Sequence, residues 1–128
     1  MAYYFAKTLD LPFDAAVARV TEVLKSKGFG ILTTIDVTAT LKDKLKVDFR
    51  PYLILGACNP SFALRALTAE DKIGAMMPCN VIIQGTSDGK IEVAAIDPIA
   101  SMKAISNPTL YEVATVVQTL LKQFVDEL

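Results

Sequence analysis

The run Leu53-Ile54-Leu55-Gly56-Ala57-Cys58, followed at once by Asn59-Pro60, constrains this chain more than any other stretch. An uncharged apolar run of that length reads as a strand, and one apolar at every position is expected to be buried on both faces. Asn59 and Pro60 then supply a helix N-cap and first-turn pair, so the strand must pass directly into a helix. That helix is expected over residues 61–69, with Phe62, Ala63, Ala66 and Leu67 facing inward. An irregular stretch, 73–78, leads to Met77-Pro78-Cys79-Asn80-Val81, where Val81, Ile82 and Ile83 open another strand. Both cysteines of the protein, Cys58 and Cys79, lie here, and each is followed by asparagine.

The flanking segments supply the rest of a sheet and two long helices. Tyr3, Tyr4, Phe5 and Leu9 mark a first strand within residues 2–10. Pro12 opens a helix over residues 12–27, where Phe13, Ala16, Val17, Val20, Val23 and Leu24 keep helical spacing and Gly28 stops it. Ile31, Thr33, Ile35 and Val37 mark a second strand, with Asp36 on a solvent-facing edge or in a pocket. A lysine-rich surface helix follows over residues 39–46, closed off by Pro51. Ser87-Asp88-Gly89-Lys90 is a hairpin turn before the strand Ile91 to Ile96, which ends at Asp97-Pro98. A short helical segment spans residues 98–105. Asn107-Pro108 then starts a last helix, apolar at Leu110, Val113, Ala114, Val117, Leu120, Leu121 and Phe124. The pattern predicts a single α+β domain over residues 1–128. Its core order is β-α-β(4)-α with short extra helices, in a largely antiparallel five-stranded sheet. Both long helices are expected on one face of that sheet. The four tyrosines are expected as core and interface aromatics.

Composition closes off several classes of function. The 128 residues are 52% hydrophobic and 21% charged, which disfavours disorder, and the net charge of -1 offers no basic stripe for nucleic acid. No apolar run approaches the roughly 20 residues of a spanning helix, and the start lacks a signal-peptide pattern. A cytoplasmic protein is therefore expected, without membrane or nucleic-acid partners. The chain has no histidine, which removes Ser-His and Cys-His nucleophile pairs and every histidine-containing zinc site. Two cysteines alone cannot close a structural zinc site either.

The remaining candidates for chemistry surround the two cysteines. Cys58 precedes the Asn59 cap, at the positive end of a helix dipole, where a thiol pKa is expected to fall. Against this stands the plain role of a small buried hydrophobe. If their strands are neighbours, Cys58 and Cys79 approach each other as a reversible disulfide, as two ligands for a soft metal, or as two buried thiols. Asn59 and Asn80 read as caps, or as amides directed into a shared pocket for which Met76 and Met77 supply wall. Asp97 reads as a strand terminator and helix cap, or as a general base if it lies near the thiols.

The segment Tyr52-Leu53-Ile54-Leu55-Gly56-Ala57-Cys58-Asn59-Pro60 resembles the signature of the domain of unknown function 302 family. Ile73-Gly74, Met77-Pro78-Cys79-Asn80-Val81 and Asp97-Pro98 continue the likeness over essentially the whole chain. The resemblance implies an α+β fold similar to the TATA-binding-protein half-repeat, and a homodimer. It implies no activity, no catalytic residues and no cofactor. The leading expectation is a small homodimeric binding or interaction protein. A small-molecule pocket is expected near Gly56, Cys58, Asn59, Pro78, Cys79, Asn80 and Asp97. The alternative is thiol redox chemistry or soft-metal handling by Cys58 and Cys79, and a third possibility is a purely structural partner domain.

Overall fold

A computed structural model of the chain describes residues 2–128. In chain order the elements are β1 (Tyr4–Leu9), α1 (Phe13–Ser26), β2 (Gly30–Asp36), α2 (Val37–Leu45), β3 (Tyr52–Cys58) and α3 (Pro60–Ala69). A 3₁₀ segment (Asp71–Met76) leads to β4 (Cys79–Gly85), β5 (Ile91–Ile96), α4 (Pro98–Ser101) and α5 (Pro108–Asp126). The five strands form one sheet in the order β1-β5-β4-β3-β2, every pair antiparallel. With the short helices set aside, this is β-α-β(4)-α.

Local chemistry explains where each element stops. Gly28 ends α1 in the left-handed region at φ 87°. Its N–H donates to the Lys25 carbonyl and the Phe29 N–H to the Leu24 carbonyl, a Schellman closure. Asp36 ends β2 and caps α2 by accepting from the Ala39 N–H at 2.9 Å. Its carboxylate serves the helix it starts, and Asp36 is exposed at the end of the edge strand β2, the solvent-facing edge position the sequence suggested. Asn107 caps α5 through Leu110 N–H, and its amide donates to the Ala69 carbonyl and Glu70, so one side chain fastens the end of α3 to the start of α5.

Burial is one-sided. Leu55, Ala57, Val81, Ile83, Val93 and Ala95 point from the sheet into a core closed by Ala16, Val20 and Leu24 of α1 and by Leu110, Leu121 and Phe124 of α5. The alternate residues, among them Tyr52, Ile54, Ile82, Ala94 and Ile96, are only partly buried. They lie on the opposite side of the pleat, where Tyr52, Ile82, Ala94 and Ile96 share the wall of an open cavity with Tyr3 and Tyr4.

Three sequence expectations change here. Strand β3 is not covered on both faces: its apolar run serves one helix layer and one bare face, because antiparallel neighbours need no crossover helix on the second side. Leu67 does not face inward. It is 43% exposed, since the inward position of α3 is Ala66 and the next residue is turned about 100° away. Tyr3, Tyr4 and Tyr111 are exposed rather than core residues.

One glycine is sterically required. A β-bulge between Ile31 and Thr33 brings Thr33 opposite Gly56. A Cβ on Gly56 would collide with the Thr33 hydroxyl and come within 2.7 Å of the Pro78 ring. Gly56→Ala is expected to lower the unfolding free energy by about 1–3 kcal/mol. Gly30→Ala, where a Cβ meets nothing within 4 Å, is expected to leave it nearly unchanged. Urea unfolding of the two variants checks the contrast.

Candidate functional site

The β3–β4 ladder pairs Ala57 with Cys79 and Gly56 with Asn80. Cys58, the last residue of β3, therefore lies diagonally beside Cys79, the first of β4. Both thiols are free and partly buried. Asn59 caps α3, its Oδ1 accepting from the Phe62 N–H at 3.2 Å, with Pro60 in the first turn. The other end of that amide rests on the α1 stop: a Cβ on Gly28 would lie 2.8 Å from Asn59 Nδ2. The end of α1, the end of β3 and the start of α3 thus meet around one side chain.

Two cavities adjoin this junction. The first, of about 50 Å³, lies between the strand ends and helices α3 and α5. Cys58, Asn59, Met77, Pro78, Cys79 and Met102 line it, with Phe29, Phe62 and Pro98 among the apolar remainder. The second, of about 380 Å³, is lined by Met76, Met77, Pro78, Cys79, Asn80 and Met102. Met77, Pro78, Cys79 and Met102 form the wall common to both.

The residues singled out in the sequence thus separate into groups. Cys58, Asn59, Pro78 and Cys79 converge on the smaller cavity, and Asn80 joins only Pro78 and Cys79 at the larger one. Gly56 and Asp97 line neither. Gly56 is the floor on which Pro78 and Thr33 pack. Asp97 caps α4 through the Ile99 and Ala100 N–H groups and accepts from Gln118 Nε2 at 3.0 Å, so it ties the end of β5 to α5. The hydrogen bonds accepted by Asp97 Oδ1 all serve the fold, and Asp97 lines neither cavity beside the thiols. Met102, Phe29 and Pro98 enter the cavity wall without any signal in the linear sequence. Their positions come from turns that return the chain over the strand ends.

The electrostatics reverse the expectation for Cys58. Its pKa is raised, through burial. The cap explains why the helix terminus does not lower it: the Asn59 oxygen already takes the Phe62 N–H. Cys79 is pushed further, up to about 11, first by burial and then by the neighbouring Cys58 charge. Both thiols are therefore protonated near neutral pH. Among the described residues no cluster of three or more His, Cys, Asp or Glu side chains is placed to hold a metal, and no helix is long and apolar enough to cross a membrane.

The family model described as Domain of unknown function DUF302 matches residues 5–128. A crystal structure of an uncharacterized conserved DUF302 protein from Bacillus stearothermophilus superposes with a TM-score of 0.90 at 27% identity, covering 98% of each chain. None of the curated proteins compared with the chain matches it.

The raised thiol pKa values carry a signed consequence. A protonated Cys79 favours the folded state fully below the ordinary thiol value of 9.0, and this contribution is lost as pH rises towards about 11. Alkylation of native protein, followed by mass spectrometry from pH 7 upward, is expected to be slower at both cysteines than for a free thiol, with Cys79 the slower. In Cys79→Ala the part of the alkaline stability loss due to this thiol is expected to disappear. A Cys58 that outpaced a free thiol at neutral pH would contradict the assignment.

Proposed function

We propose, for a chain that belongs to the family described as Domain of unknown function DUF302, that it is a single-domain binding protein and not an enzyme. Its ligand site is the cavity beside the two Cys-Asn pairs, and its working form is a homodimer. One observation carries the site: two strand ends, a helix start and the turn before β4 place Cys58, Asn59, Pro78 and Cys79 on the wall of a single apolar cavity. A concave apolar wall with a few convergent polar groups suits a small ligand. The protonated thiols and the absence of histidine from the sequence leave no activated nucleophile or imidazole base beside it. Thiol redox chemistry would need a thiolate that burial disfavours. The cytoplasm, which keeps free thiols reduced, is the compartment that suits Cys58 and Cys79.

The dimer proposal rests on the bare sheet face. Ile82, Ala94 and Ile96 line a cavity there of about 380 Å³, with Tyr4 and Tyr52 at its sides. Exposed Phe49 packs its ring 6.2 Å from that of Tyr52 beside this cavity. An apolar sheet face without a covering layer is the surface a second copy would bury.

Two measurements test these statements. Xenon, matched in size to a small dry cavity, is expected to shift the ¹³C-methyl resonances of Met77 and Met102 while leaving methyl groups far from the cavity unmoved. No shift at either methionine would mean a closed core and would end the ligand-site proposal. Sedimentation is expected to find a dimer that Ile82→Lys converts to a folded monomer. A monomeric native chain would end the dimer proposal.

A further inference from the structure

Five sulfur-bearing side chains gather at one end of the molecule. Cys58, Met77, Cys79 and Met102 line the smaller cavity; Met76 joins Met77, Cys79 and Met102 at the larger one. Among the described residues, every cysteine and methionine of the chain belongs to this group. The donors come from the end of β3, the 3₁₀ segment and the residue after it, the start of β4 and the residue after α4, positions spread over 45 residues. The wall between them is hydrocarbon, from Phe29, Phe62, Pro98 and Leu110.

Such a donor set discriminates among ligands. Calcium and magnesium require oxygen ligands, and structural zinc requires four N, O or thiolate ligands. Neither carboxylate nor imidazole lines the smaller cavity among the described residues. Thiolate and thioether sulfurs select soft monovalent ions such as Cu(I), which accept low coordination numbers. We infer that the sulfur-lined cavity binds one soft monovalent cation of the Cu(I) or Ag(I) class, held between Cys58 and Cys79 with Met77 and Met102 as thioether donors. The inference rests on the reading of this cavity as the ligand site. Binding forms two metal–thiolate bonds and releases two thiol protons to solvent, with no electron transferred, so the site passes from neutral to a single negative charge.

The test is anaerobic titration of reduced protein into the Cu(I) complex of bathocuproine disulfonate, read by loss of the chelator's colour. One Cu(I) is expected to transfer per chain, and Zn(II) is expected not to displace it. Cys58→Ser is expected to abolish the transfer, its partly exposed position leaving the fold intact by circular dichroism. Met77→Leu and Met102→Leu keep side-chain volume and are each expected to weaken Cu(I) binding by about 10–100-fold, as loss of a supporting partner does at metal sites. No transfer to the native protein, or unchanged transfer to Cys58→Ser, overturns the inference, as does full affinity in both methionine variants. Xenon separates the two levels. If it still shifts the Met77 and Met102 methyls while Cu(I) does not transfer, the cavity remains a ligand site and only the metal is wrong.

Discussion

The candidate site depends on a close approach that only glycine permits. Pro78 lies against Gly56, where a Cβ would come within 2.7 Å of its ring, while Thr33 presses on the same point from the bulged strand β2. This packing lets the chain re-enter the sheet directly beside the strand it left, so that Cys79 pairs with Ala57 and lies next to Cys58. The α3 helix and the 3₁₀ segment form the loop between them. Without that approach the two cysteines would sit at the two ends of a connection about twenty residues long, with no reason to share a cavity.

Around this junction, burial outweighs the helix dipole. A thiol beside a helix N-terminus is stabilised as thiolate only if unpartnered N–H groups remain to serve it. Asn59 takes the Phe62 N–H, and the apolar walls from α3 and α5 supply the desolvation that raises both thiols. The same burial that disfavours the thiolates leaves sulfur atoms on an apolar cavity wall. Protonated thiols and the proposed soft-ion site are compatible, because the ion would replace the protons that burial retains.

The sheet divides the molecule into unequal halves. Its inner face is filled by α1 and α5, and its outer face carries Ile82, Ala94 and Ile96 without a covering helix. Polar groups cross that outer face in a chain: Arg50 Nε donates to Gln84 Oε1 at 2.8 Å, and Gln84 Nε2 donates to Glu92 Oε1 at 2.8 Å. An apolar centre with a hydrogen-bonded margin has the anatomy of an association surface.

Much of this was legible in the linear sequence. Hydrophobic spacing defined α1 and α5. The Asn59-Pro60 and Asn107-Pro108 pairs marked helix starts, and Gly28 and Gly89 marked turns that need positive φ. These are local signals, each completed within a few residues, and local chemistry is enough to determine them. What only the tertiary structure decided was pairing and direction. Register placed Cys58 beside Cys79 and left the outward residues of β3 on a bare face, and the packing of α5 brought Gln118 to Asp97. Met102 reached the cysteines from over twenty residues away because α4 folds back over the strand ends. Periodicity states which residues seek burial. It does not state against what, because that depends on the closing of long loops around a glycine and a proline.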